Sequence, residues 1–259
     1  MPEDANQPDS DNADTLASPW LLADLLARIL ADSEAELRAE QAVRGLDAMD
    51  ELPLHRVLAG GLTRAGLGVF AEFPYPGRVW ADEDAGRRPG RNARDRCDLV
   101  LTPSPDLPPA DPVSTLRERD EADRTLFGAH VRESIERERS DPERGWTDPS
   151  EAFWLEVKTI GQFAFRGGVP EANRAYAAEL VAAGEDLGKL GADGVISRGA
   201  LLLLLFAADE ATVRHDGVRF AHACLDRGLP SGSPVIRCVP IVERIGNTCC
   251  GVVLAPLRA

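Results

Sequence analysis

Three charged residues stand where a strand would bury them. In Phe153-Trp154-Leu155-Glu156-Val157-Lys158, the two-residue period of a strand puts Trp154, Glu156 and Lys158 on one face and Phe153, Leu155 and Val157 on the other. In Cys97-Asp98-Leu99-Val100-Leu101, Asp98 is the only charge among apolar neighbours. A charge in a half-buried strand is costly unless it is paired or binds a metal. If the two strands are neighbours, Asp98 and Glu156 converge and offer oxygen ligands to a hard cation, Mg²⁺ or Mn²⁺, that keeps places for water and a substrate phosphate. Such a site suits phosphodiester hydrolysis, in which a cation polarises the phosphoryl oxygen and an ammonium stabilises the developing negative charge. Lys158 supplies that ammonium. Glu-x-Lys is short as a motif, but the chain uses Arg at 27 of its 29 basic positions and Lys only at 158 and 189. A compact ammonium with a shiftable pKa is chemically distinct from a guanidinium.

Other residues join or compete with this set. Glu51 sits at the start of a helical stripe and is a further catalytic and metal-ligand candidate; the helix dipole also favours an acid there. Glu72, in VFAEFPYP, is a rival first-strand carboxylate, or an edge-strand surface residue. Asp98, Glu156 and Lys158 together also fit a buried structural ion-pair cluster. Lys189 is accounted for by its place near a helix C-terminus and its spacing of three from Asp186. His55, His130, His215 and His222 show no ligand spacing and read as structural or surface residues, as does Cys97, which has no His nearby to activate it. Arg87, Arg88, Arg91, Arg94 and Arg96 form a Gly/Pro-punctuated basic loop running into Asp98. Arg88, Arg91 and Arg94 are candidates for phosphate contact; the same loop also serves to balance Asp82, Glu83 and Asp84.

The elements that must position these residues follow from hydrophobic period and punctuation. Residues 50–65 predict a helix with Leu54, Val57, Leu58 and Leu62 at helical spacing, stopped by Gly66. Strands follow at 67–73, 96–101 and 152–158, with an insertion at 103–150 between the last two. A helix after Pro170 carries Tyr176, Leu180, Ala183, Leu187 and Leu190 on one stripe, and 201–206 is a fully buried strand. A helix at 210–227 and strands at 235–243 and 248–254 complete the chain. The α-β-β-β-α-β order with a C-terminal α-β-β addition predicts an α/β fold, a mixed β-sheet core flanked by helices. The acidic, apolar-poor segment 1–17 reads as a disordered tail. Residues 18–47 read as an accessory helical segment, its helix at 19–43 either packed on its own domain or forming a homodimer or larger-complex seam. The catalytic domain then spans 48–259.

The net charge of −14 is unfavourable for a nucleic-acid partner, yet residues 1–52 hold 13 acids against 3 arginines, so the remainder carries only −4. Five cysteines without CxxC spacing fit neither a disulfide framework nor a zinc knuckle. No apolar run is long enough for a membrane span, and the acidic N-terminus lacks the features of a secretory signal, so a cytoplasmic protein is expected.

With Asp98 in RCDLVL, Glu156 and Lys158 in FWLEVK and Glu51 in the preceding helix, the chain resembles the PD-(D/E)XK, or restriction-endonuclease-like, nuclease superfamily across residues 50–101 and 151–206. That resemblance implies a restriction-endonuclease-like sheet and an Mg²⁺- or Mn²⁺-dependent nuclease acting on nucleic acid, DNA first of all. It implies Asp98, Glu156 and Glu51 as metal ligands and Lys158 as a catalytic cation. Cys97 replaces the motif's proline, 57 residues separate Asp98 from Glu156, and Ala172 stands where the family's Gln-xxx-Tyr would place its Gln. An inactive binding module for nucleic acid or protein, and a structural subunit of a larger complex, are the alternative readings.

Overall fold

In a computed structural model of the chain, residues 7–77, 95–111, 130, 145–166 and 168–258 are described. Arg88, Arg91 and Arg94, together with most of the 103–150 insertion, lie outside the described residues.

The elements are α1 (Gln7–Ala17), α2 (Pro19–Ala39), α3 (Glu51–Arg64), β1 (Gly68–Pro74), β2 (Arg96–Thr102), β3 (Phe153–Gly161), β4 (Phe163–Arg166) and β5 (Val169–Ala172). They continue with α4 (Tyr176–Ala182), α5 (Gly184–Gly191), β6 (Gly199–Ala207), α6 (Glu210–Asp226), β7 (Val235–Pro240) and β8 (Cys249–Pro256). Six strands form one mixed sheet in the order β1-β2-β3-β6-β8-β7. Its pairs are antiparallel except β3 with β6. The fold is thus α/β, a mixed sheet flanked by helices, as the sequence pattern implies.

The period of two divides the strands between two cores. Leu99, Leu101, Phe153, Leu155, Val157, Leu202, Leu204 and Phe206 join the leucines of α2 and α3. Leu201, Leu203, Leu205 and Val253 face Leu180, Leu187 and Phe220 of α4, α5 and α6. β6 is buried at every position because helices cover both of its faces, which explains its unbroken apolar run.

One expectation about the N-terminus is corrected. Residues 7–17 form α1 instead of a disordered tail. The Asn12 side-chain amide donates to the Gly66 and Pro103 carbonyls at 3.1 and 3.0 Å, and Leu16 is buried in the main core. One apolar anchor and one capping amide hold a segment whose average composition argued against folding. The helix expected at 19–43 packs on its own domain as α2, one of its two readings. It starts at Pro19, with the Ser18 hydroxyl accepting the Leu21 N–H, and ends at Ala39. Leu22, Leu26, Ile29 and Leu30 are spent on the chain's own core. A Cβ at Gly61 of α3 would stand 2.3 Å from Ile29, so the missing side chain permits this close approach.

Other differences are local. The segment after β3 turns back as the β4–β5 hairpin, and the single helix expected after Pro170 breaks at Ala183 into α4 and α5. Leu180, Ala183, Leu187 and Leu190 are buried as the stripe required. At the base of the insertion a Pro109–Thr147 bridge joins its two ends. The five cysteines are free thiols. No helix among the described residues is long and apolar enough to cross a membrane.

Candidate metal and phosphodiester site

The site begins where the β2–β3 ladder stops. Leu101–Phe153, Val100–Trp154 and Leu99–Leu155 are paired, and the same register sets Asp98 opposite Glu156. There the two main chains part. The Asp98 carboxylate fills the gap, its Oδ2 accepting the Val157 N–H at 2.8 Å. β3 stays joined to β6 on its other side through Glu156–Leu201 and Lys158–Leu203. The sequence expectation that Asp98 and Glu156 lie on neighbouring strands is met by this register.

β1 departs from regularity at the same level. Ala71–Leu99 and Phe73–Cys97 are paired, but Glu72 between them has φ of 53° and no ladder partner. A left-handed conformation costs a non-glycine residue about 1–2 kcal/mol. The flanking pairs and a 2.7 Å hydrogen bond from Arg96 to the Glu72 carbonyl hold it. Four residues after Glu51 on α3, His55 is buried against Asp98, with Nδ1 4.0 Å from Oδ1. Its Nε2 is buried without a hydrogen-bond partner among the described residues. His55, Glu72 and Asp98 each present a ligand atom, all within 4.8 Å of one another. His55 thus lies in one cluster with Asp98 and Glu72. No sequence motif marked it, because its ligand partners come from β1 and β2; its place one turn beyond Glu51 on the same stripe was the available sign.

Glu156 is buried at 6 % exposure, and the Tyr75 hydroxyl donates to its Oε1. Tyr75 stacks on Trp154 with ring centroids 6.0 Å apart, and Phe73 meets the same indole edge-on at 5.9 Å. Burial, then the charge of Asp98 and a hydrogen bond shared with it, push the Glu156 carboxyl up to about 9; Asp186 adds to the rise while Tyr75 opposes it. Burial and the neighbouring Asp98 thus favour the protonated form of Glu156. Burial above all raises the Tyr75 pKa, keeping its hydroxyl a donor.

Lys158 lies 3.5 Å from Glu51 Oε1 and 3.6 Å from Asp186 Oδ2. Burial works against its charge, but Glu51, then Asp186 and Asp98, outweigh that and raise its pKa. Glu51 therefore reaches the site by pairing with the ammonium; it is not in the compact set made by His55, Glu72 and Asp98. Asp186 was not singled out from sequence, since its spacing from Lys189 already accounted for it as a helix-surface acid.

The arrangement gathers carboxylates from β2, α3 and α5 around the half-exposed Lys158 ammonium, with Glu156 of β3 and Glu72 of β1 beside Asp98. Among the described residues no ion pair reaches Glu156, and the recorded partner of Asp98 is His55. Comparison of the chain with protein-family models, with curated proteins and with solved structures finds no match.

Proposed function

We propose that this chain is a divalent-metal-dependent nuclease that hydrolyses phosphodiester bonds of nucleic acid, DNA first of all, on a restriction-endonuclease-like form of the mixed sheet. The observation that carries this reading is the Asp98–Glu156 pair, in which a buried carboxyl group whose ionisation is opposed by burial and by Asp98 sits in a strand gap two residues before Lys158. A structural ion-pair cluster would place an arginine or lysine against those acids; here Lys158 is taken up by Glu51 and Asp186, and the base nearest Asp98 is His55 at 4.0 Å. A buried acid beside a second carboxylate is expensive to ionise without a cation, and a divalent ion in place of the Glu156 proton relieves both burial and repulsion.

The residues fit an Mg²⁺ or Mn²⁺ ion. Asp98 and Glu156 would hold it, with His55 and Glu72 each offering a ligand atom within 4.8 Å of one on Asp98 and Glu51 reaching the site through Lys158. The buried, unsatisfied Nε2 of His55 is a donor atom that only a ligand, a proton or water can satisfy. When bound, such an ion supplies Lewis acidity at a phosphoryl oxygen and lowers the pKa of water. The remaining work belongs to side chains. Tyr75 fixes one Glu156 oxygen, Glu51 and Asp186 keep Lys158 charged and aimed, and Lys158 stabilises negative charge as it develops on the phosphorane-like oxygens.

The test is a cleavage panel of linear duplex, supercoiled plasmid, single-stranded DNA and RNA, with Mg²⁺, Mn²⁺ or chelator, beside Asp98→Ala. Metal-dependent cleavage lost in the variant supports the reading. Absence of cleavage of every substrate with both metals rejects it and leaves a binding module.

A further inference from the structure

The two lysines of a chain that otherwise uses arginine meet at one carboxylate. Asp186 Oδ1 lies 2.5 Å from Lys189 Nζ, and its Oδ2 lies 3.6 Å from Lys158 Nζ. Asp186 sits behind the pair at 14 % side-chain exposure, while the lysine side chains are 38 and 47 % exposed. Both ammonium groups therefore face outward over a shared acid.

Helix pairing explains the contact but not the residue. An exposed i,i+3 pair contributes little stability, and Arg would serve equally at a helix C-terminus. Asp186 above all, then Glu156 and Asp95, raise the Lys189 pKa against burial, and the shared Asp186 carboxylate places Lys189 beside Lys158. Asp186 spends one negative charge on two positive ones. Glu51 balances Lys158 from its other side, so the four groups are neutral as a set, and Lys189 at 47 % side-chain exposure is the most open of them, next to the acids that would hold the ion.

We propose that Lys189 is a second substrate-facing cation of this site, binding the backbone phosphate next to the one that Lys158 addresses. The proposal rests on the nuclease reading for the role of Lys158 and names the substrate class more closely: a polynucleotide presenting at least two consecutive phosphates. One carboxylate holds the two nitrogens apart, which suits successive charges of a polyanion better than the oxygens of a single phosphate. Lys158 acts on the reacting group, whereas Lys189 holds a phosphate that does not react, so its contribution falls on binding.

The experiment uses the full chain and a dye-labelled 12-nucleotide DNA, single-stranded and duplex. Binding is measured against salt in Ca²⁺, and steady-state cleavage in Mg²⁺. Lys189→Met should weaken binding and reduce the slope of log affinity against log salt by roughly 0.7 to 0.9, the equivalent of one phosphate contact. KM should rise several-fold more than kcat falls, and Lys189→Arg should restore the slope. An unchanged salt slope in Lys189→Met, or a loss confined to kcat, overturns the proposal. A slope change in a protein that cleaves nothing keeps the phosphate contact and removes the nuclease reading; cleavage with an unchanged slope does the reverse.

Discussion

The Asp98 carboxylate takes a backbone position at Val157: its Oδ2 accepts the Val157 N–H at 2.8 Å, at the point where a β2 carbonyl would otherwise continue the ladder. One side chain therefore closes the sheet and faces His55 with its other oxygen, Oδ1. Structure and chemistry share this residue and must be separated by choice of substitution.

Asp98→Asn retains an oxygen able to accept the Val157 N–H, whereas Asp98→Ala leaves that donor without its partner. Losing the acceptor of a part-buried donor costs about 1–3 kcal/mol. The expected outcome is metal affinity lost in both variants, measured by calorimetry, with a clear fall in melting temperature in Asp98→Ala beyond that in Asp98→Asn. Equal melting temperatures would show that the Val157 bond contributes nothing to stability.

Glu156 gives a pH dependence whose sign is fixed. Its carboxyl is raised from an ordinary 4.5 to about 9, chiefly by burial and then by Asp98, so between those values the folded chain holds a proton that the unfolded chain has released. The stability this contributes is fully present below the lower value and is lost as pH rises through the upper one. In chelator, the melting temperature should therefore fall from about pH 6 to about pH 9, and Glu156→Gln should flatten that fall. A divalent ion replaces the proton, so its binding should release protons to the buffer. Calorimetry in two buffers of different ionisation enthalpy reads that release; identical heats would contradict a protonated Glu156 in the metal-free protein.

Much of this site was legible because a strand reports its faces through alternation. Asp98, Glu156 and Lys158 each break an apolar pattern, and the register of β2 and β3 brings them together. Glu72, His55 and Asp186 were less visible for different reasons. Glu72 depends on a φ of 53°, which no side-chain pattern encodes. His55 depends on how α3 docks over β2, a long-range fact. Asp186 and Lys189 satisfied a local rule so well that their tertiary neighbour, Lys158, left no trace in the spacing. The N-terminus failed in the opposite way: average composition outweighed Leu16 and Asn12, although two well-placed contacts suffice to dock a helix onto a core that already exists.

That correction is itself testable. Leu16 is 3 % exposed within the main core, so Leu16→Ala should cost about 2–4 kcal/mol and lower the melting temperature by several degrees. Asn12→Ala removes both carbonyl contacts and should cost less, about 1–2 kcal/mol. Thermal melts of the two variants decide it. If both match the parent, α1 contributes no stability and the tail reading returns.

The role of Lys158 separates chemistry from fold most sharply. It is charged and held between Glu51 and Asp186, with Asp98 adding to its field. Lys158→Met keeps the length of the side chain and removes the ammonium. In the proposed site that removes a repulsive neighbour of the divalent ion, so metal affinity should hold or rise. Turnover should nevertheless fall by about 10²–10³, the loss seen when one group stabilising transition-state charge is deleted. Because Lys158 is more than a third exposed, its pairs contribute modestly to stability, and the melting temperature should move by only a few degrees. A structural ion-pair cluster gives another pattern: a larger loss of stability from stranded acids and no link to metal. Calorimetric metal binding, thermal melting and single-turnover cleavage on this one variant distinguish the two. Cleavage by Lys158→Met at the parental rate would remove Lys158 from the chemistry, and unchanged metal affinity together with a large fall in melting temperature would assign it to the fold.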